Sequence, residues 1–177
     1  MGAKNHNVFL IGLMAVGKTT VGRLLADELG MPFFDTDRVV EEKAGADIAW
    51  IFDVEGEAGF REREVQVVDE LTGRDGVVLA TGGGVILRSE NRRHLAARGT
   101  VVYLHSPIEK LIERTRRDKR RPLLRQGDSR ATFERLASER EPLYSEIADY
   151  RFCAGRHSAK MLAMEIATAL RKDGCLP

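Results

Sequence analysis

The residues of this chain best suited to chemistry occupy positions 12 to 19 and read Gly-Leu-Met-Ala-Val-Gly-Lys-Thr. They match G-x-x-x-x-G-K-[ST], the pattern of a phosphate-binding loop. In such a loop successive backbone N–H groups enclose phosphate oxygens, the lysine reaches the β- and γ-phosphates, and the Ser/Thr hydroxyl ligates Mg²⁺. The pattern therefore predicts a nucleoside triphosphate site, with Lys18 catalytic and Thr19 on the metal. The residues expected to contact the nucleotide here are Met14, Ala15, Val16, Gly17, Lys18, Thr19 and Thr20.

The sequence on either side of this loop supports the same interpretation. Residues 8 to 11 form a short apolar run, typical of a buried strand in a parallel sheet. Residues 20 to 29 have the apolar spacing of an amphipathic helix, which Gly30 and Pro32 should end. The alternative is a glycine-bearing turn with a surface lysine, and the strand-loop-helix context argues against it.

The second predicted strand, residues 32 to 37, ends in two carboxylates. Asp35 and Asp37 are separated by one residue, so both side chains would point the same way if the strand continued through them. Phosphoryl transfer uses one carboxylate near Mg²⁺ and another that accepts or orients the proton of the attacking hydroxyl. We assign Asp35 to the metal and Asp37 to the hydroxyl. The alternative is a turn followed by a helix N-cap.

Three glycines follow another predicted strand, residues 77 to 80. Gly82, Gly83 and Gly84 would let the main chain approach a ligand closely and offer it N–H donors. Taken alone, this segment would be a flexible turn. Beside a phosphate-binding loop, it becomes a candidate ligand contact.

A basic segment lies in the second half of the chain, opposed only by Asp118. Charge pattern alone also fits a solvated, mobile segment. The formal net charge of the chain is +1, which gives no general electrostatic basis for binding nucleic acid. The basic residues are Arg114, Arg116, Arg117, Lys119, Arg120, Arg121 and Arg125.

Apolar strands alternate with amphipathic helices along the chain, which predicts an α/β fold with a parallel sheet covered on both faces. The length of 177 residues fits one domain. No apolar run is long enough to span a bilayer, and residues 1 to 6 lack the apolar region of a signal peptide. We expect a cytoplasmic monomer that binds neither membrane nor nucleic acid.

Six segments, in this order, resemble the shikimate kinase family over essentially the whole chain. Each is moderately specific, and the shared order makes the set highly specific. The segments are the phosphate-binding loop, Asp35-Thr36-Asp37, Gly59-Phe60-Arg61-Glu62-Arg63-Glu64, Ala80-Thr81-Gly82-Gly83-Gly84, Arg121-Pro122-Leu123-Leu124 and Glu139-Arg140-Glu141-Pro142-Leu143-Tyr144.

The resemblance implies a three-layer α/β/α P-loop kinase fold, with a five-stranded parallel sheet of order 2-3-1-4-5. It also implies transfer of the γ-phosphate of ATP, with Mg²⁺, to the 3-hydroxyl of shikimate in chorismate biosynthesis. The substrate-binding region would cover about residues 35–65 and a lid about residues 115–129. By the same resemblance, Arg114 would lie beside the adenine, and Arg121 would contact the transferring phosphates from the lid. The residues that would surround shikimate are Asp37, Arg61, Gly82, Gly83, Gly84 and Arg140.

These implied roles agree with the chemistry of the residues. Shikimate carries a carboxylate, which guanidinium groups bind in a planar, bidentate manner that lysine cannot match. Without the family, Arg61 and Arg140 would each be interpreted as a surface residue, Arg61 in an ion pair with Glu57 or Glu64. Glu64 could instead hold Arg61 in position.

Two details of the sequence qualify this picture. The transition-state role assigned to Arg121 could by spacing alone belong to Arg120 or Arg117. Ala15 occupies a position that is glycine in many family members; if the loop requires positive φ there, alanine costs about 1 kcal/mol.

Three rival functions remain open at this stage. A kinase resembling gluconate kinase is the nearest, although two arginines with the Asp-Thr-Asp and Thr-Gly-Gly-Gly segments suit a cyclic hydroxy-carboxylate better. A nucleoside-monophosphate kinase would share the arginine-rich lid. A non-catalytic nucleotide-sensing or RNA-binding module would not need Thr19, Asp35 and Asp37.

Overall fold

The computed structural model describes residues 4–116 and 129–176, and within them five strands form one parallel sheet. The strand order β2-β3-β1-β4-β5 confirms the predicted one, and β1 occupies the centre between β3 and β4. The strands are β1 (Val8–Ile11), β2 (Phe33–Asp35), β3 (Val78–Ala80), β4 (Thr100–His105) and β5 (Tyr150–Cys153).

Helices connect the strands and cover the sheet. Within the same described residues there are seven α-helices, and a 3₁₀ helix at Val85–Leu87 follows β3. The α-helices are α1 (Lys18–Leu29), α2 (Thr36–Ala44), α3 (Ile48–Thr72), α4 (Ser89–Arg98), α5 (Ile108–Thr115), α6 (Ser129–Ile147) and α7 (Ala159–Lys172). None of them is both long enough and apolar enough to cross a membrane.

The core lies on both faces of the central strands. Every residue of β1 is buried, as expected for a strand with helices above and below it. Helix α1 buries Val21 and Leu25 against the sheet and packs against α7. The core is therefore continuous beneath the loop that joins β1 to α1, and this loop starts from a rigid base.

Helix α3 is interrupted at Gly56, whose φ of 74° and ψ of 177° are not helical. The second half of the helix buries Phe60, Val67 and Val68 on one face, in agreement with the apolar stripe visible in the sequence. The same face carries Arg61, so the packing of this half fixes where the guanidinium lies.

The amino edge of the sheet is held together by one buried amide. The Nδ2 of Asn7 donates to the carbonyl oxygens of Arg74 (2.6 Å) and Arg98 (3.2 Å), and its Oδ1 accepts from the backbone N–H of Val77 (2.9 Å). Asn7 thereby joins the segments that enter β1, β3 and β4 at the edge opposite the phosphate-binding loop.

We predict that Asn7→Ala lowers the free energy of unfolding by about 2 kcal/mol, because it leaves the buried N–H of Val77 without its acceptor. Urea unfolding followed by circular dichroism measures the change. Asn5→Ala, which removes one exposed hydrogen bond to Arg74, is the matched control and should change the free energy by less than about 0.5 kcal/mol. Equal losses in the two variants would contradict the role of Asn7.

Candidate active site

A cavity of about 400 Å³ lies at the carboxyl edge of the sheet, where β1, β2 and β3 end. In open α/β sheets ligands bind at this edge. Most of the residues predicted from the sequence to bind nucleotide, metal or substrate line this cavity. They are Met14, Ala15, Val16, Gly17, Lys18, Thr19, Thr20, Asp35, Asp37, Gly82, Gly83 and Arg114.

The side chain of Lys18 bonds back to the main chain of the phosphate-binding loop. The Nζ of Lys18 donates to the carbonyl oxygens of Gly12 (2.5 Å) and Leu13 (2.8 Å), and the side chain is buried. Those bonds hold the ammonium inside the curve of the loop. The positive charge therefore lies where the loop amides and the amino end of α1 also favour an anion.

Ala15 has a φ of 66°, which is a left-handed conformation. The condition stated in the sequence analysis is therefore met, because the loop has a positive φ at this position. A non-glycine residue in that region costs on the order of 1 kcal/mol. The loop therefore keeps its shape at a small energetic cost.

Asp35 connects the loop to α2. Its Oδ2 accepts from the hydroxyl of Thr19 (2.6 Å), and its Oδ1 accepts from the backbone N–H groups of Asp37 (3.0 Å) and Arg38 (3.3 Å). The expectation that the strand continues through Asp37 is wrong, because β2 ends at Asp35 and α2 begins at Thr36. Asp35 is thus both the N-cap of α2 and the neighbour of Thr19.

Thr19 and Asp35 supply the hard oxygen atoms that Mg²⁺ prefers. In residues 4–116 and 129–176 no three His, Cys, Asp or Glu side chains cluster closely enough to hold a metal by themselves. Magnesium sites in kinases commonly use one or two protein groups, with water and phosphate oxygens as the other ligands. The two side chains fit that kind of site.

Asp37 lies in the first turn of α2 and faces the glycine segment. A Cβ added to Gly82 would lie 2.6 Å from Oδ1 of Asp37, so only glycine allows the main chain this close. The backbone N–H of Gly82 also donates to the hydroxyl of Thr36 (2.9 Å). The end of β3 is therefore fixed against the start of α2.

Arg61 is buried, with 7% of the residue exposed, so its interpretation as a surface ion pair is wrong. Both partners suggested by the sequence are present: Nη1 lies 2.9 Å from Glu64 and Nη2 lies 3.4 Å from Glu57. A Cβ on Gly84 would collide with the guanidinium. Arg61 thus occupies the space that Gly84 leaves open.

Glu64 is almost fully buried between the arginine and Asp37. Burial raises the pKa of Glu64 to about 7, with Asp37 adding to the effect and the positive charges of Arg61 and Arg140 opposing it. Its Oε1 accepts from Arg61, and in the described part of the chain Oε2 has no hydrogen-bond partner. Glu64 contacts Arg61 as the sequence suggested.

Arg140 projects from α6 toward the same glycine segment and is 3% exposed, so its interpretation as a surface residue is also wrong. Its Nη1 would lie 3.4 Å from a Cβ on Gly83. Within the described residues, its Nε has no hydrogen-bond partner. Arg61 and Arg140, which are far apart in the chain, are both brought to the segment after β3.

Arg114 lines the cavity beside the phosphate-binding loop. Its Nη1 donates to the carbonyl oxygens of Ala15 (3.2 Å) and Val16 (2.8 Å), so it contacts the loop itself. Arg121, which is expected to contact the transferring phosphates, lies outside the described residues. So do Arg117, Arg120 and most of the expected lid.

The sequence interpretation did not identify two parts of this region. The segment after β5 lines the cavity with Ala154, Gly155 and His157, and Gly155 is tied to Lys110 of α5 by a 2.5 Å hydrogen bond. Tyr144 bonds to the carbonyl of Gly83. Its spacing of four residues from Arg140, one helical turn, could have signalled that the two act together.

The comparisons with known proteins agree with this geometry. The sequence model of the family "Shikimate kinase" matches residues 14–171. Shikimate kinase of Actinobacillus succinogenes is 56% identical over 166 residues, covering 93% of this chain and 94% of that protein. Shikimate kinase of Vibrio campbellii is 54% identical over 170 residues, covering 96% and 99%.

Solved structures give the same result. The structure of shikimate kinase from Acinetobacter baumannii in complex with shikimate has a TM-score of 0.92 at 47% identity, covering 94% of this chain and 93% of that one. The enzyme from Bacteroides thetaiotaomicron has a TM-score of 0.86 at 31% identity, covering 93% and 98%. A gluconokinase from Sinorhizobium meliloti, at 15% identity and a TM-score of 0.56, shares the fold alone. The chain belongs to the shikimate kinase family.

Proposed function

We propose that this chain transfers the γ-phosphate of ATP, with Mg²⁺, to the 3-hydroxyl of shikimate, giving ADP and shikimate 3-phosphate. The observation that carries the proposal is the convergence of two buried arginines, Arg61 and Arg140, on the glycine segment beside Asp37. Asp37 lines the same cavity as the phosphate-binding loop. Membership of the shikimate kinase family supports the choice of substrates.

The loop end of the cavity would bind the triphosphate. Backbone N–H groups of residues 14–20 would enclose the phosphate oxygens, and Lys18 would donate to the β- and γ-phosphates. Thr19 and Asp35 would hold Mg²⁺, which when bound neutralises charge on the β- and γ-oxygens. Arg114 would contact the adenine, and Arg121 would stabilise the charge of the transferring phosphate.

The other end would bind the acid. Arg61 and Arg140 would donate to the carboxylate of shikimate, and Glu64 would keep Arg61 in position. Gly82, Gly83 and Gly84 would let the ring approach the main chain.

Asp37 would accept the proton of the 3-hydroxyl while the oxygen of that hydroxyl attacks the γ-phosphorus. A new bond forms between that oxygen and phosphorus, the bond from phosphorus to the β–γ bridging oxygen breaks, and ADP leaves with the electron pair. Each role uses a residue type suited to it.

Several features of the chain stay predictions beside this function. They are a single domain with a substrate-binding region at about residues 35–65 and a lid at about residues 115–129, a monomeric state, a cytoplasmic location, and no interaction with nucleic acid or membrane.

The direct test is ADP release in a coupled assay with shikimate, quinate and gluconate as parallel acceptors. We expect turnover with shikimate and none with gluconate, because the buried arginines suit a ring carboxylate held close to the main chain. Turnover with gluconate alone would instead support the gluconate kinase alternative. ADP release that is the same with and without any acceptor would contradict a kinase of this class.

We expect Asp37→Asn to lower kcat by about 100-fold or more, because an amide cannot accept the proton of the hydroxyl. The Kd for ATP, measured by calorimetry, should change less than about threefold, because the loop residues are intact. Asp53→Asn, an exposed carboxylate on α3, is the matched control and should leave both values unchanged. Wild-type turnover in Asp37→Asn would exclude Asp37 as the proton acceptor.

Arg140→Ala should raise KM for shikimate by about 10- to 100-fold, the loss typical of a charge-assisted hydrogen bond. KM for ATP should remain within about twofold, because the predicted ATP contacts do not include Arg140. Arg135→Ala removes an exposed arginine from the same helix and serves as the control. Parallel increases in both KM values would contradict a carboxylate contact.

Glu64 should make stability depend on pH. Its pKa of about 7 in the folded protein lies above its ordinary value of 4.5, so the fold binds a proton that the unfolded chain releases. The stabilising contribution is complete below about pH 4.5 and is lost as pH rises through about 7. The Tm of the wild type minus that of Glu64→Gln should therefore fall between about pH 5 and pH 8.

Glu62→Gln changes an exposed glutamate two residues away and controls for a general effect of charge. Its Tm difference from the wild type should show no comparable fall. If the difference for Glu64→Gln is constant across this range, Glu64 is ionised throughout and its raised pKa is excluded.

A further inference from the structure

Tyr144 stands directly behind the acid-binding end of the cavity. It lies on α6, one helical turn after Arg140, and is 1% exposed. Its ring stacks on Tyr103 of β4, with centroids 5.1 Å apart and planes 24° apart. The ring is therefore fixed by packing, and the direction of its hydroxyl is fixed with it.

The hydroxyl of Tyr144 donates to the carbonyl oxygen of Gly83 at 2.5 Å. Burial raises the pKa of Tyr144, so the hydroxyl keeps its proton and remains a donor at any working pH. The carbonyl oxygen of Gly83 therefore keeps this hydrogen bond at any working pH.

The guanidinium of Arg140 is near enough to the same hydroxyl to influence its pKa. Its charge and side-chain hydrogen bonding lower the pKa of Tyr144, partly opposing the effect of burial. The hydroxyl is hydrogen-bonded to the glycine segment, and the same segment lies against Nη1 of Arg140.

Gly83 is also in contact with the phosphate-binding loop. A Cβ on Gly83 would lie 3.1 Å from the backbone nitrogen of Met14 and 3.4 Å from Nη1 of Arg140. The glycine is therefore enclosed by the loop on one side and the arginine on the other. A group that fixes Gly83 and Arg140 together also fixes the acid-binding end relative to the phosphate end.

We infer that Tyr144 is a positioning residue for acceptor binding: its hydroxyl aligns Arg140 with the glycine segment before the acid arrives. Tyr144 is buried and its hydroxyl is bonded to the main chain, so it acts through these neighbours. The inference rests on the proposed function, because it names the acceptor as the substrate whose binding depends on the link. The chemical class of that acceptor is a small carboxylate anion.

The test is Tyr144→Phe, which removes the hydroxyl and keeps the stacked ring. We expect KM and the calorimetric Kd for shikimate to rise about 5- to 20-fold, because Gly83 loses its hydrogen-bond partner and Arg140, which lies against Gly83, loses its alignment. KM for ATP should stay within about twofold. Tyr103→Phe makes the same change on the other ring of the stack and should leave both KM values unchanged.

A double-mutant cycle separates positioning from a general loss of stability. In an Arg140→Ala background, adding Tyr144→Phe should weaken shikimate binding by less than about twofold, because the residue to be aligned is absent. Full additivity of the two changes would overturn the inference. So would a Tyr144→Phe variant that binds shikimate like the wild type, or one in which both KM values rise together.

The outcomes distinguish a failure of the role inferred for Tyr144 from a failure of the proposed function. Wild-type protein that neither binds shikimate nor releases ADP with it would overturn the proposed function, and the inference with it. An active wild type beside an unaltered Tyr144→Phe variant would overturn the inference alone. A variant that melts earlier but still shows the selective loss of shikimate affinity would support it.

Discussion

The site depends on the burial of two positive charges, those of Arg61 and Arg140, against the glycine segment beside the cavity. Removing a guanidinium from water is costly unless other groups replace its hydration. Glu64 compensates Arg61 in part, and the hydroxyl of Tyr144 lies near Arg140. In the described part of the chain, the Nε atoms of both arginines still have no hydrogen-bond partner. In the proposed function, a carboxylate of the substrate would complete this compensation.

The glycine segment makes that arrangement sterically possible. Within three consecutive residues, the main chain comes close to Asp37, to Arg140 and to Arg61 in turn, and a side chain on Gly82 or Gly84 would collide. The proximity also allows the charges to influence one another, since Asp37 contributes to the raised pKa of Glu64. The positions of these charged side chains and the interactions between their charges therefore both depend on the absence of Cβ atoms in the glycine segment.

Much of this could be predicted from the sequence. Apolar periodicity indicated the parallel sheet, and the loop pattern located the triphosphate end, because both signals are local. The burial of Arg61 and Arg140 could not be obtained in that way: each sits among charged neighbours, as a surface residue would, and only the packing of α3 and α6 turns them inward. Asp35 shows a different limit of prediction from sequence, in which a helix cap and a site carboxylate were alternatives. In the structure, one carboxylate serves both as the cap of α2 and as the hydrogen-bond partner of Thr19.

The buried amide of Asn7 stabilises the edge of the sheet that lies opposite the cavity. It cross-links the segments entering three strands at the edge remote from the cavity, and none of its partners belongs to the site. The stabilisation by Asn7 and the recognition proposed for the site thus depend on separate sets of atoms. An engineer can adjust the first at one edge of the protein while leaving the second as it is.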